Sequence, residues 1–394
     1  MAKEEKQKKP VQADRQEKAE RKPGVSRRLP LLLLILAVVL AVVVLTTMED
    51  GRHFASLRRW LMYGDSSQTQ NLYTYAADSS NRFGQLGEDL LVVGPKSIRL
   101  LQDDGTAVYD LQVSMTAPRL SVGGKLAAVC DVGGSTLYVL DSAGVCRTLT
   151  TDRGLCYYTA RMNEKDYLAV TEQKNGYKAS VSVYDAEGEL LFHSDSHDSY
   201  ISDAAVTEDG KYLVAVGLDQ KDGAFASTLL VYDLASAQRV GDGFIRDGLV
   251  LDFALSGDKV ISLCDKRLAI TTLSGETLLD HAYDNLYLHG YALTGDDFCA
   301  LLLARYQAGN ICQLTTFDLD GNQIASVEVT EEVLDLSASG EYLAVLYSDS
   351  LVLYNRDLTE YARLEGTDYA GQVQMGADGT ALLIAGTSAW RFLP

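Results

Sequence analysis

From about residue 81 to the end of the chain, apolar residues occur in short runs that small polar residues separate. Each run is about 4–8 residues long, rich in Val, Leu, Tyr and Thr, and bounded by Gly, Asp, Asn or Ser, which is typical of β-strands. Beyond residue 85 no segment keeps the helical period of about 3.6 residues. The runs Lys211–Val216 and Glu341–Leu346 are apolar at successive positions, as in strands buried on both faces. The pattern predicts an all-β domain of packed sheets.

One arrangement of four strands recurs along this part of the chain. Its third strand is the clearest, with eight copies: SIRLLQDDG, LYVLDSAG, VSVYDAEG, LLVYDLAS, LAITTLSG, LTTFDLDG, LVLYNRDL and SAWRFLP. The closing glycine or its equivalent falls near residues 105, 144, 188, 236, 275, 321, 358 and 394, so the mean period is about 41 residues. Propeller blades of four strands repeat every 40–45 residues or so. The chain is therefore predicted to form an eight-bladed β-propeller, with seven blades as the alternative.

The two ends of the repeat region complement each other. The last copy, residues 371–394, holds only three strands, while residues 71–80 form an orphan strand before the first copy. We predict that this N-terminal strand supplies the fourth strand of the last blade, because closing the ring removes exposed sheet edges.

The repeat also carries a resemblance to known propellers. The segments ISDAAVTEDGKYLVAVG, residues 201–217, and STLLVYDLASAQ, residues 227–238, resemble the consensus of WD-repeat-like and quinoprotein-like β-propellers. The Gly-His and Trp-Asp dipeptides of true WD repeats are absent. The whole plan resembles bacterial single-pass, membrane-anchored propeller families of unknown function. This resemblance implies an architecture and leaves the activity open.

An uncharged apolar run, residues 29–48, precedes the strands. As a helix it would span about 30 Å, the thickness of a bilayer core. We predict an uncleaved signal anchor rather than a cleaved signal peptide, because the run is long and no A-x-A site follows it. The flanking segments are predicted to be a disordered basic tail, residues 1–28, and a juxtamembrane helix or linker, residues 49–70.

Charge sets the predicted orientation and excludes one class of partner. Residues 1–28 hold 10 basic and 5 acidic residues, so they carry +5 of the total of −19 and leave −24 on the rest. Basic residues are denser before the apolar run than after it, which predicts a cytoplasmic N-terminus and an extracytoplasmic propeller, residues 71–394, at the cell membrane. A body so acidic argues against nucleic-acid binding and fits contact with cations or basic partners.

Two sets of residues are candidates for ligand binding. The carboxylates of Asp203, Asp252 and Asp335 recur in the first strand of three units, and first strands line the channel of a propeller. They could surround a cation, or each could hydrogen-bond a neighbouring turn. The members of the second set stand just before first strands, so one mouth of the ring should gather them: Tyr158, Tyr200, Tyr287 and Tyr369. Tyrosine suits peptide or glycan contact, and packing at strand ends is the alternative.

Catalytic and cofactor motifs are missing from the sequence. No G-x-S-x-G, P-loop or H-E-x-x-H occurs, and we predict neither a catalytic residue, nor a cofactor, nor a metal site. The segment Asp318–Asn322 resembles the start of a calcium loop, but position twelve is Val329, so a hairpin turn is predicted. The six cysteines form no C-x-x-C pair, and buried thiols or disulfides both fit.

The sequence therefore favours a membrane-tethered propeller that binds a protein, a peptide or a cell-envelope ligand. The alternative is a propeller enzyme, a hydrolase or lyase, with a cation in the central channel.

Overall fold

The structure is a computed structural model that describes residues 70–221, 224–245 and 248–394. Within these ranges the chain forms strands, turns and loops, and no helix there is long and apolar enough to cross a membrane. The predicted tail and span, and the juxtamembrane segment before Gln70, lie outside the described residues.

The strands, numbered in chain order, fall into sheets that we call blades one to eight. Blade one holds β2 Arg82–Leu86, β3 Asp89–Val93, β4 Ser97–Leu101 and β5 Ala107–Gln112; blade two holds β6 Pro118–Val122, β7 Ala127–Asp131, β8 Thr136–Asp141 and β9 Gly144–Thr150. Blade three holds β10 Tyr157–Met162, β11 Leu168–Glu172, β12 Ala179–Tyr184 and β13 Leu190–Ser196; blade four holds β14 Tyr200–Val206, β15 Tyr212–Lys221, β16 Ala224–Asp233 and β17 Gln238–Ile245.

The remaining blades follow the same plan. Blade five holds β18 Val250–Ser256, β19 Lys259–Cys264, β20 Arg267–Thr272 and β21 Thr277–Ala282; blade six holds β22 Tyr287–Ala292, β23 Phe298–Ala304, β24 Cys312–Asp318 and β25 Gln323–Val329. Blade seven holds β26 Val333–Ser339, β27 Tyr342–Tyr347, β28 Ser350–Asn355 and β29 Glu360–Glu365; blade eight holds β30 Gln372–Met375, β31 Ala381–Ile384, β32 Ser388–Phe392 and β1 Gln70–Thr74.

Each blade is a four-stranded antiparallel sheet, and the last one is built from both ends of the chain. In blade eight the strand order is β1-β32-β31-β30, with Tyr73 opposite Ala389 and Thr74 opposite Ser388. The predicted eight-bladed propeller and its closure by an N-terminal strand are thus confirmed. The closing strand is shorter than residues 71–80, because the chain turns away after Thr74 to enter blade one.

The first strands of several neighbouring blades contact each other, as β2 does β6 and β26 does β30, and these inner strands surround the central channel. The hydrophobic core is divided among the contacts between blades. Eight buried clusters each join one blade to the next, and the cluster that holds Tyr73, Leu90 and Leu382 joins blade eight to blade one. Strands in the middle of a blade are buried on both faces, as all seven residues of β23 show. Each fully buried Val or Leu contributes roughly 1.5–3 kcal/mol, so the blades hold one another in the ring.

The turns between strands are closed by carboxylates and glycine. Asp318 Oδ1 accepts hydrogen bonds from the amides of Asp320 at 3.0 Å and Asn322 at 2.7 Å. Gly321 has a φ of +91°, and a Cβ there would lie 2.3 Å from the carbonyl oxygen of Leu278 in the neighbouring blade. The segment is the hairpin turn that the sequence predicts, and only glycine fits at position 321.

All six cysteines lie in the described ranges, and all are free thiols. Four of them are buried, as expected if cysteine serves as a small apolar residue of the core: Cys130, Cys264, Cys299 and Cys312. Cys146 is exposed and Cys156 is partly exposed, which differs from that prediction because both lie toward the surface of their blades.

Candidate functional site

The candidate carboxylates sit at one register position of the inner strands. In β14, β18 and β26 the register shifts just before Asp203, Asp252 and Asp335, so a β-bulge precedes each aspartate. Each carboxylate accepts a hydrogen bond of 2.9 Å from the next residue's amide. The bulge and this local bond fix the side chain, and what else the carboxylate binds differs from blade to blade.

Arg161, on β10 of blade three, binds two of these carboxylates across the channel. Its Nη2 lies 2.6 Å from Asp203 Oδ2 and 2.5 Å from Asp252 Oδ1, and its Nη1 donates to the carbonyl oxygen of Phe253 at 2.9 Å. The guanidinium also lies 4.7 Å from the centre of the Phe253 ring. Burial alone would lower the pKa of Arg161, but the two carboxylates raise it above its ordinary value. Arg161 therefore ties blades three, four and five together as a charged side chain.

Two further side chains complete this channel network. Arg119 Nη2, from blade two, lies 3.3 Å from Asp203 Oδ2, and the Tyr291 hydroxyl, from blade six, donates to Asp252 Oδ2 at 3.2 Å. The negative charge of Asp203 and Asp252 is thus balanced by two arginines. A cation at these carboxylates would compete with Arg161 and Arg119.

Asp335 stands apart from the network. Its Oδ2 accepts a hydrogen bond of 2.8 Å from the amide of Val373, on the inner strand of blade eight. Burial raises the pKa of this carboxyl above its ordinary value. The bond joins blades seven and eight, which is the structural role predicted as the alternative to a cation ring. Within the described ranges no group of three or more His, Cys, Asp or Glu side chains is arranged to hold a metal ion.

The channel opens at two mouths. We call the end where the inner strands begin the upper mouth; connections between blades and turns between second and third strands surround it. The four candidate tyrosines lie at this mouth. Tyr200 and Tyr287 begin β14 and β22, Tyr158 is the second residue of β10, and Tyr369 precedes β30 by three residues. Tyr200, Tyr287 and Tyr369 are 56%, 47% and 41% exposed, whereas Tyr158 packs into the core between blades three and four. Ligand binding by the four tyrosines and three aspartates stays a prediction.

The other exposed aromatic residues gather at the same mouth. They are Tyr177, Phe225, Phe244 and Tyr306. Contacts fix several of these rings: Tyr177 lies 4.3 Å from the ring of His197, Lys178 Nζ lies 5.3 Å from the ring of Tyr200, and Tyr369 meets Trp390 edge-on at 4.6 Å. Among the described side chains, Tyr291 in the channel is the one exposed aromatic residue that lies elsewhere.

The lower mouth, where the inner strands end, is lined by acidic turns. Asp209 is typical: its Oδ1 accepts hydrogen bonds from Thr207 Oγ1 at 2.7 Å and the Lys211 amide at 3.0 Å, and Lys211 Nζ lies 2.7 Å from Oδ2. Hydrogen bonding to the Lys211 side chain is the main cause that lowers the pKa of Asp209 to about 2. Turn amides are bound in the same way by Asp104, Asp318, Asp357 and Asp378. These carboxylates are engaged in building the turns.

A family model described as "Family of unknown function (DUF5711)" matches residues 63–367. This is more than half of the chain. The chain belongs to the DUF5711 family. No curated protein matches the sequence.

Solved structures resemble the chain in fold. Sqt1 from Saccharomyces cerevisiae matches with a TM-score of 0.62 and 13% identity, over 84% of this chain and 100% of that chain. The C-terminal WD40 domain of Sif2 matches with a TM-score of 0.58 and 13% identity, over 84% and 98%. BamB from Moraxella catarrhalis matches with a TM-score of 0.54 and 10% identity, over 83% and 100%. The resemblance to WD-repeat-like propellers is confirmed at the level of the fold.

Some residues of the site were missed by reasoning from the sequence. Arg119 and Arg161 each stand in an otherwise apolar inner strand, and a lone arginine in such a strand could have been recognised as a partner for the repeated aspartates. Leu251 and Leu334 are 59% and 41% exposed at the upper mouth, because each is the extra residue of a β-bulge. In the sequence they look like ordinary strand residues, and only the bulge turns them outward.

Proposed function

We propose that this chain is a membrane-tethered, extracytoplasmic binding module whose upper mouth docks a partner protein. The observation that carries the proposal is the gathering of seven exposed aromatic residues at that mouth. Tyrosine and phenylalanine are enriched in the buried centres of protein interfaces, where they supply large contact areas with little loss of conformational freedom. The fold by itself supports many activities, so the argument rests on the surface.

The tether is proposed from the sequence. The uncharged residues 29–48 are long enough to cross a bilayer, and the basic residues before them favour a cytoplasmic N-terminus.

The channel offers little support for the enzyme alternative. A catalytic cation would need carboxylate ligands, and Asp203 and Asp252 are already bound to Arg161 and Arg119. Asp335 is bound to the amides of Leu336 and Val373. The channel thus favours a structural role over a hydrolase or lyase centre.

Site-specific crosslinking in living cells tests the docking surface. A photoreactive phenylalanine derivative replaces Tyr287 at the upper mouth, and in a matched variant it replaces Glu341 at the lower mouth. We expect one envelope protein to crosslink in a near-stoichiometric amount from position 287 and not from position 341. Equal crosslinking from both positions, or crosslinking from position 341 alone, would contradict the proposal.

A separate measurement tests the tether. External protease should remove the propeller from intact cells, or from spheroplasts if an outer membrane is present, while an epitope within residues 1–28 stays protected. A propeller that survives until the cells are lysed would place it on the cytoplasmic side.

A further inference from the structure

The upper mouth is divided into two sectors of different charge. Over blades two to four, the connections carry Arg153, Lys174 and Lys178 together with Tyr177 and Tyr200. Over blades six to eight, exposed apolar side chains lie beside carboxylates. We call this second part the acidic–aromatic sector; its residues are Tyr287, Leu334, Tyr369, Glu331, Glu332 and Asp368.

The three carboxylates of the sector are available to a ligand. Glu331, Glu332 and Asp368 are exposed, and among the described residues none of their side-chain oxygens forms a hydrogen bond or an ion pair. Arg305, in the turn between β23 and β24 of blade six, is paired with Glu328 at 3.2 Å. The charge of the sector is therefore not balanced from within.

The apolar members of the sector are neighbours and are held in place. They sit at the starts of β22 and β26 and in the connection that enters β30, and these three inner strands contact one another in order around the ring. The bulge in β26 turns Leu334 outward, and the edge-on contact with Trp390 fixes the ring of Tyr369. A preformed apolar surface of this kind costs a partner little ordering on the side of the propeller.

We propose that the partner docks a basic segment, rich in lysine and arginine, on the acidic–aromatic sector, an inference that rests on the proposed function of the upper mouth. Lysine and arginine pair with carboxylates and also bind over the faces of tyrosine rings. Their long aliphatic stems cover apolar residues such as Leu334. The net charge of the chain after residue 28, −24, steers a basic segment toward the propeller.

The lower mouth is also acidic, but among the described residues it lacks exposed aromatic side chains beside unbound carboxylates. Its turn carboxylates, such as Asp209 and Asp318, are bound by the amides of their own turns. None of the described side chains there is an exposed aromatic residue. Rim charges alone add little affinity, because solvent screens them; a desolvated apolar centre is needed as well.

The experiment selects peptides from a random dodecapeptide display library on the full chain in lipid nanodiscs. Selected peptides are then measured against four variants. Two alter the sector, Glu331→Lys with Glu332→Lys and Tyr287→Ala with Tyr369→Ala. Two are matched controls, Glu88→Lys with Glu341→Lys at the lower mouth and Tyr177→Ala with Tyr200→Ala in the other sector.

We expect the selected peptides to be enriched in Lys and Arg and to bind more weakly as ionic strength rises. Each sector variant should weaken binding by about tenfold or more, and each control by less than about twofold.

The outcomes separate this inference from the proposed function. One outcome is that the selected peptides need Tyr287 and Tyr369 but carry no excess of Lys and Arg. That result would contradict the inference of a basic segment and would still support the upper mouth as the docking surface. Binding that no upper-mouth variant weakens, or a selection that enriches no peptide, would overturn both.

Discussion

The two mouths of the channel each carry a group of carboxylates, and these two groups differ in their hydrogen bonds. At the lower mouth, Asp209 and Asp318 accept hydrogen bonds from the amides that follow them and so build their turns. At the upper mouth, Glu331, Glu332 and Asp368 have no such bonds and stand beside exposed tyrosines. The difference teaches that carboxylates bound by the amides of their own turns form the scaffold, and that carboxylates without such bonds are free for a ligand.

Removing aromatic rings from the upper mouth should have the largest effect on partner binding. In Tyr287→Ala with Tyr369→Ala we expect affinity for the crosslinked partner to fall by about 2–4 kcal/mol, because truncated aromatic anchors leave their pockets empty. Titration calorimetry measures the change. The lower-mouth pair Glu88→Ala with Glu341→Ala serves as the control, and an equal loss there would erase the distinction between the mouths.

The channel network between the mouths should govern stability and not binding. Arg161→Met leaves Asp203 and Asp252 without their main counter-charge, and we expect the free energy of unfolding to fall by about 2–3 kcal/mol. This is less than for a fully buried pair, because the Arg161 side chain is 20% exposed. Urea denaturation measures it. Arg119→Met removes one contact of 3.3 Å and should lower the free energy of unfolding by clearly less. Equal losses in the two variants would contradict the role of Arg161 as the main counter-charge of the network.

Asp335 tests the contact between blades seven and eight and predicts a pH dependence. Asp335→Asn loses one of two amide hydrogen bonds, which should cost about 1–2 kcal/mol. The pKa of the folded carboxyl is raised, so the protonated form favours folding below about pH 4, and this contribution is lost as the pH rises through the folded pKa. The asparagine cannot ionise, so its deficit relative to Asp335 should shrink from about pH 3 to neutral pH. A deficit that grows over this range would contradict the burial of the carboxyl.

The smallest effects should come from comparing single carboxylates of the two mouths. Asp209→Asn should lower the free energy of unfolding by less than about 1 kcal/mol, because Asp209 is largely exposed, and Glu331→Gln should leave it unchanged. The pKa of Asp209 is lowered to about 2, so its stabilising effect is present above the ordinary value near 4 and is lost as the pH falls toward 2. Carbon NMR titration of the carboxyl should show that midpoint, and Lys211→Ala should raise it. A midpoint near 4 in the unaltered protein would show that the turn does not bind the carboxylate.

Much of the fold could be predicted because it depends on local patterns. The apolar runs of β15 and β27 indicate strands buried on both faces, and the residues around Asp318 indicate a hairpin turn. Both patterns are local and do not depend on the position of the segment in the ring. The gathering of Tyr200, Tyr287 and Tyr369 at one mouth followed from their shared position before the inner strands.

The amino-acid sequence by itself determined the four-stranded repeat and the closing role of the N-terminal strand, since hydrophobic period and turn chemistry act over a few residues. It favoured eight blades and left seven as the alternative. Only the tertiary structure decided that Arg161 meets Asp252, a residue 91 positions away, because that contact exists only when the ring closes. The bulge that exposes Leu334 and the division of the upper mouth into two sectors of different charge have the same origin. These features depend on how distant segments of the chain meet around the channel, and no local sequence pattern encodes that arrangement.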